Sequence, residues 1–541
     1  MRKCYILLMS VVLMMCWRCV DFIDVRPENS TTYTNYYRTQ QDAESLLTGL
    51  MSYIQTVGSN EWLAAVGEKV DVDLYYSIPN RLLDYQVSYS WGYFYNVIYQ
   101  ADLILDNAFR FELTEEEMKP YLLQAYFAKG IAYFYLARVF GEAPITQGST
   151  TFEKFPQSSV TEVLDEAEKW ALLAMDLPVY EEMVNTAGGE RMKQFGSKGA
   201  AAALLAHLYA WRAGVEGKSE YWEKAEEYCT MIIDGQVGSY KLAETPEEVC
   251  MDVLHKDSEE SIWEIYNNIE ELEQYRYWNV FVGFPILTTS SYLPTDAAYQ
   301  PLLNKTTVRE MYTEEDLRRN AYFWATDADS IFLKVVDGET VADVERGVDS
   351  VIIGYDNKTI QRAYVYKYRY PYFTFDNVSV EPTYKGLNQN KIVWRLADIY
   401  LLRAECRARQ NKATAVDDLN KIRSRAYGDL DRNRMVEKYA FPCADDIAKG
   451  LDGNIQLAIF REREKELIQE GHRYYDIVRN GWCYMRGEDS YDYIRNEISD
   501  SYKMLSDQDI EDGALYCKLL NGCFTNNDLI RQNRYWNRRA Q

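Results

Sequence analysis

Residues 115–140 read EEEMKPYLLQAYFAKGIAYFYLARVF, and this stretch decides the fold. Ala125, Ala128, Ala132 and Ala137 recur about once per helical turn between tyrosines and phenylalanines. Small residues set against large ones let two helices approach closely, so the stretch predicts a buried helix with neighbours on several sides. Glu115, Glu116 and Glu117 stand at its start, where the helix macrodipole favours negative charge. Pro120 has no N–H to donate, so the first turn is expected to begin near that proline.

The same texture returns outward from this helix. Residues 198–213, KGAAAALLAHLYAWRA, are followed by YWEKAEEYCTMII at 221–233. Residues 394–409, WRLADIYLLRAECRAR, are followed by ATAVDDLNKIRSRA at 413–426. Upstream, WGYFYNVIYQADLILDN at 91–107 carries Tyr95, Ile98, Ala101, Ile104 and Leu105 on one face, and Ala43, Leu46, Leu47 and Leu50 do the same from Gln41 onward. An alanine-rich helix, a short polar turn and a second helix form the local signature of tetratricopeptide-like repeats. No full consensus repeat is present, so periodicity alone leaves an ordinary α-bundle open. Hairpin scaffolds of this kind serve binding more than chemistry.

Between about 241 and 390 the texture changes to short β-like stretches such as SIWEIY at 261–266 and residues 362–370, separated by turn residues and aspartates. The expected fold is therefore mainly α: tetratricopeptide-like helical hairpins over about 41–240 and 391–482. A loop-rich, partly β subdomain is expected over about 241–390, where function concentrates, and an irregular C-terminal segment over 483–541.

The N-terminus reads as an export signal, with Arg2 and Lys3 ahead of an apolar run from Tyr5 to Met15 that is short for a membrane span. Cys19 follows directly and is the expected lipid anchor, with residues 1–18 removed. Trp17 and Arg18 stand where a lipoprotein site has small residues, and Cys16 is a competing candidate. Seven cysteines remain downstream of Cys19, scattered and odd in number, which is unlike a disulfide framework. One bridge, such as Cys517 to Cys523, stays open.

With 83 acidic against 59 basic side chains the formal charge is −24, and loss of Arg2, Lys3 and Arg18 makes the mature chain more acidic still. That sign repels phosphate backbones and excludes nucleic acid as a partner. The 46 tyrosines join flat apolar rings to hydroxyls, a combination suited to helix interfaces and to half-wet binding surfaces alike.

Clustered carboxylates, histidines and loop motifs are the candidates for chemistry. Glu462, Glu464, Glu466 and Glu470 lie near Arg461, Arg463, Arg473 and Arg479, and opposite charges at these helical spacings predict an interior ion-pair network pinning the last helices. His207, His255 and His472 are far apart in sequence, so no zinc cluster is expected. Gly214 to Ser219 imitates the end of a phosphate-binding loop, but Arg212 replaces its first glycine. Asp429, Asp431 and Asn433 imitate a calcium loop that Arg434 and Ala440 break. No catalytic residue, cofactor or metal is assigned.

Taken together, the blocks resemble the SusD/RagB family. CVDFIDVRP at 19–27 is similar to its lipidated start, and 91–107 to its W…Y…I…A-N helix, with Asp102 where asparagine is usual. QAYFAKGIAYFYLARVFGEAPI at 124–145 resembles its alanine-rich helix running into F-G-x-x-P, and 199–209 and 260–266 resemble the next two blocks. Asp316-Leu317-Arg318 is similar to its D-x-R element, and 395–425 to its R-x-A-D-x-x-L-L-x-A-E helix with the N-x-x-R-x-R-A segment after it. IFREREKELIQEGHRYYDIVRNG at 459–481 is similar to its late motif, and Gln532-Asn533 to its Q-N tail. The resemblance implies one SusD-like domain over 19–541 and a non-enzymatic lipoprotein on the outer membrane's outer face. It further implies a SusC-like TonB-dependent transporter as partner and glycan or peptide nutrients as ligands. Two rival readings are a glycan-processing enzyme with paired carboxylates and a hairpin adaptor that grips another protein.

Ligand contacts are expected where aromatic rings and polar groups mix in loops. Asp73, Tyr75, Tyr76 and Arg81 form one such region; Tyr275, Tyr277 and Trp278 form a second, with Trp324 farther on. The two regions are expected to converge on one open face with Trp278 as the main stacking platform.

Overall fold

A computed structural model describes residues 36–59, 67–69, 71–72, 90–151, 153–184, 193–267, 301–330, 332–336, 339–343, 345–346, 350–352, 361–374, 383–428, 436–484, 492–498, 500–525 and 527–539. The helices of ten residues or more among them are α1 (Gln40–Ser59), α2 (Gly92–Asn107), α3 (Glu115–Val139), α4 (Val160–Ala174), α5 (Lys198–Glu216), α6 (Glu220–Ile233), α7 (Leu396–Arg409), α8 (Ala415–Ala426), α9 (Ile455–Glu466) and α10 (Arg473–Tyr484). Each of the first eight packs on the next in order, α9 lies against α7, and α10 against α5. The mainly α hairpin scaffold is thus present.

Alanine makes that packing close. Ala125, Ala128 and Ala132 of α3, Ala167 and Ala171 of α4, and every alanine from Ala200 to Ala206 are buried. Gly130 marks a close approach of α3 to α4, since a Cβ there would stand 3.1 Å from the Ala171 backbone nitrogen.

Two helix starts differ from the expectation. α3 begins at Glu115 rather than at Pro120, which lies inside the helix. Thr114 caps it: its hydroxyl accepts from the Glu117 N–H at 3.3 Å while the Glu117 carboxylate accepts from the Thr114 N–H at 2.8 Å. This reciprocal cap, together with burial of Met118 and Tyr121, holds the first turn although Pro120 has no N–H to offer. The second difference is at 394–395. Trp394 and Arg395 end a strand, β11 (Lys391–Arg395), antiparallel to β2 (Ser261–Ile265), with Trp394 opposite Trp263 and Arg395 opposite Ser261. Arg395 is held extended by ion pairs to buried carboxylates, and helix begins only at Leu396.

One apolar cluster runs from Tyr37 to Trp536, so the first described helix and the last share a core. The tail is tied to the C-terminal end of α3. Gly141 has φ +77°, and a Cβ there would meet the Tyr516 ring at 3.1 Å, which is why glycine follows Phe140. Cys517 donates its N–H to Val139 O at 2.8 Å, and Trp536 Nε1 donates to Tyr516 O at 2.8 Å. Gln532 bonds both backbone groups of Leu519, and Asn533 Nδ2 donates to Gly513 O at 3.1 Å. Cys517 and Cys523 are both free, so the bridge left open between them is not formed.

The remaining strands belong to the 241–390 region apart from β1 (Asp71–Val72): β3 (Pro301–Asn304), β4 (Phe323–Trp324), β5 (Phe332–Val336), β6 (Glu339–Asp343), β7 (Val351–Ile352), β8 (Arg362–Val365), β9 (Pro371–Thr374) and β10 (Thr383–Leu387). They form small antiparallel sheets with the orders β6-β5-β7, β10-β9 and β1-β3-β8-β4.

Candidate ligand-binding face

The β1-β3-β8-β4 sheet gathers chain segments spread from Asp71 to Val365. Asp71 pairs with Leu302, Leu302 with Tyr364, and Tyr364 with Trp324, so these four residues form one row across it. At about 4.8 Å per strand the row spans roughly 14 Å, the length of about four extended residues.

Trp324 is half-buried, its ring 6.0 Å from that of Tyr364 and tilted by 54°. The next residue, Ala325, has φ +62°, a conformation rare for a side chain with a Cβ and costing on the order of 1 kcal/mol. Three cations hold this turn. Arg309 Nη2 donates to Thr326 O at 3.0 Å, Arg319 pairs with Asp327, and Lys305 Nζ donates to Ala328 O.

Behind the sheet lies a buried lattice of charge that fixes it to the scaffold. In the short helix Arg318–Tyr322, directly before β4, Arg318 bonds Asp316 and reaches Glu462 at 2.7 Å and Glu466 at 3.3 Å. Just after β8, Lys367 Nζ meets Glu470 at 2.5 Å and Glu466 O at 2.8 Å. Arg395 pairs with Glu260, Glu466 and Glu470 at 2.7–2.9 Å, and Arg425 with Glu260 and Glu466. Burial alone would raise the Glu466 and Glu470 carboxyls; Arg425 and Arg395 at the first, Arg395 and Lys367 at the second, outweigh it and hold each at about 2. The predicted ion-pair network is therefore present, and Glu462, Glu464, Glu466 and Glu470 each have a cationic partner. Carboxylates held ionised near neutral pH and paired with cations are poorly suited to act as a general acid there.

Of the ligand contacts expected from sequence, Trp324 falls among the described residues. Asp73, Tyr75, Tyr76, Arg81, Tyr275, Tyr277, Trp278 and Cys19, the expected anchor, lie outside them. In chain order Asp73 directly follows β1, and the segment carrying Tyr275, Tyr277 and Trp278 leads into β3. Tyr364 was missed as a partner of Trp324, although the alternating tyrosines of 364–370 were a visible signal.

Separation along the chain did not keep His207 and His472 apart, whereas His255 stacks on Tyr370. The rings of His207 on α5 and His472 just before α10 lie 6.1 Å apart, and His207 Nε2 is 2.7 Å from Asp398 Oδ2 of α7. The packing of α5 on α10 and α7 brings them together. Burial would raise the Asp398 carboxyl, but His207, His472 and Arg463 more than offset it and hold it well below the usual carboxylate range.

Comparison with known proteins agrees with this architecture. Residues 264–536 match the SusD family model, and residues 21–210 match a model described as starch-binding, associating with outer membrane. A SusD-like protein P25 of Formosa agariphila is 23% identical over 509 residues, covering 86% of this chain and 88% of its own. Among solved structures, a SusD homolog from Bacteroides thetaiotaomicron superposes with a TM-score of 0.68 at 19% identity, covering 94% of this chain and 99% of its own. B. fragilis NanU does so with 0.67 at 17% identity and the same coverages, 94% and 99%. A family match over half the chain, on a hairpin scaffold whose Gln532-Asn533 tail and late glutamate–arginine motif both have structural work, assigns the chain to the SusD family.

Proposed function

We propose that this protein is a cell-surface lipoprotein, anchored through Cys19 and acting as one domain over 19–541. In this reading it captures glycans and delivers them to a SusC-like TonB-dependent outer-membrane transporter. Support comes from family membership, a family description naming starch and the outer membrane, and one geometric observation. The observation is that β1, which Asp73 follows in sequence, and β3, which Tyr275, Tyr277 and Trp278 precede, share a sheet with Trp324. Asp73, Tyr75, Tyr76 and Arg81 would then approach from beyond β1, Tyr275, Tyr277 and Trp278 from ahead of β3, and Trp324 from β4. Aromatic faces would stack on sugar rings while carboxylate and guanidinium groups fix orientation. Peptides meet the same chemistry and are the second ligand class.

The test is calorimetric titration of the mature protein with a panel of polysaccharides and peptides, followed by chromatography of the mixtures. Binding without new products is expected. Released oligosaccharides would favour an enzyme, and silence across the panel, with a protein partner recovered, an adaptor. Co-purification from detergent-solubilised membranes checks the transporter, and consistent recovery of the protein alone would count against it.

A further inference from the structure

Where the C-terminal end of α3 meets α10, Arg138 is more than nine-tenths buried. Its guanidinium carbon lies 3.9 Å from the centre of the Tyr475 ring, 4.4 Å from that of Phe134 and 4.5 Å from that of Tyr135. Its Nε has no hydrogen-bond partner, and among the described residues no carboxylate pairs with it. Arg318, Arg395, Arg463 and Arg479, buried as deeply or more so, each hold two or more carboxylates. A guanidinium cannot shed its proton, so Arg138 keeps its charge, and stacking on three rings supplies no hydrogen-bond acceptor in its plane.

Arg138 lines a cavity of about 30 Å3, with Tyr135, His207, Trp394, His472 and Tyr475 around it. Two carboxylates, Glu470 and Asp476, also line it. Both are already committed, Glu470 to Arg395 and Lys367, Asp476 to Arg463 and Arg479. Lys391, whose Nζ donates to Gly58 O at 3.1 Å, and Arg479, paired with Glu405 and Asp476, complete the charged lining, so Arg138 is the lining arginine that no carboxylate of the described residues compensates. The cavity's volume suits two or three water-sized occupants, by the rule that each needs roughly 10–15 Å3, or one small polyatomic or halide ion.

We propose that this cavity is a binding site for one small monovalent anion, a halide or a formate-sized carboxylate, held by Arg138. The occupant completes the charge pairing that the other buried arginines obtain from the chain, and it ties the end of α3 to α10. None of the residues lining the cavity lies in the β1-β3-β8-β4 sheet, so the site is separate from the sheet that carries Trp324.

Two measurements on the full mature protein test this. Thermal unfolding is followed at constant ionic strength in sodium chloride, sodium formate and sodium gluconate, whose anion is too bulky to enter. The midpoint should rise by about 2–3 °C over a hundredfold range of the fitting anion above its dissociation constant, and not with gluconate. A rise with chloride alone identifies a halide, and a rise with formate alone a carboxylate. In Arg138→Met the dependence should vanish. Crystals of the wild-type protein soaked in bromide, or grown with formate, should show the occupant within hydrogen-bonding distance of the Arg138 guanidinium, a readout that does not need the variant to fold. Equal midpoints in all three salts, or an empty cavity in both crystals, would overturn the proposal.

Discussion

Arg395→Met removes the centre of the charge lattice. Arg395 is fully buried and pairs with Glu260 at 2.8 Å, Glu466 at 2.9 Å and Glu470 at 2.7 Å. Methionine roughly fills the stem's volume, so the cavity term is small and the loss is electrostatic. Glu260 keeps Arg425, Glu466 keeps Arg318 and Arg425, and Glu470 keeps Lys367, so no carboxylate is orphaned outright. Breaking a buried pair by removing one partner costs about 3–5 kcal/mol, and the shared partners place this case inside that range. With unfolding entropy near 2 cal/mol/K per residue, a chain of this length loses about 1 °C of midpoint per kcal/mol, so the variant should melt roughly 3–5 °C lower. The deficit should narrow in acid. Arg425 and Arg395 together hold Glu466 at about 2, and Arg395 and Lys367 hold Glu470 there, so without Arg395 both carboxyls rise and take up protons in the folded state that wild type refuses. Calorimetry at pH 7 and pH 4, with the exposed Arg38→Met as a control expected to melt like wild type, measures both effects. A variant that melts with wild type at pH 7 would refute the account of the lattice, and a deficit that widens in acid would refute its electrostatic origin.

Wild-type stability should fall as pH drops from about 4.5 to about 2, the window between the ordinary glutamate value and the folded one for Glu464, Glu466 and Glu470; depressed carboxylates contribute above the first and lose it by the second. Acid titration of the far-ultraviolet circular dichroism checks it. Glu68 has the opposite sign: burial pushes its carboxyl up to about 8, so its neutral form is fully compatible with folding below about 4.5 and a penalty grows as pH rises towards 8. Glu68→Gln keeps an acceptor for the Gln469 N–H and should raise the midpoint at pH 8 but not at pH 4, read by the same calorimetry. Cys19→Ala should leave the protein folded but released from membranes; retention after a salt wash would move the anchor elsewhere. Trp278→Ala should weaken binding of an identified ligand by about 2 kcal/mol or more, as loss of a central aromatic anchor does, and unchanged titration of the folded variant would place the platform elsewhere.

The scaffold was legible because its information is local. Alanine spacing along 124–137 and 200–210 marks a helix that must pack closely, and no distant residue changes that reading. The charge lattice was legible in outline for the same reason, since glutamates and arginines alternating over 461–473 must find partners if the helix is buried. Which partners they find was not. Arg395 and Arg425 each bridge Glu466 and Glu260 in a fold that pairs β11 with β2 across more than a hundred residues, and that pairing turned the expected helical start at Trp394 into strand. His207, His472 and Asp398 come together through helix packing, which contact along the chain does not encode. The row from Asp71 to Trp324 likewise joins segments that only a folded sheet makes neighbours. Periodicity reports which face of an element seeks burial, whereas the partner that buries it is chosen by the free energy of the whole assembly.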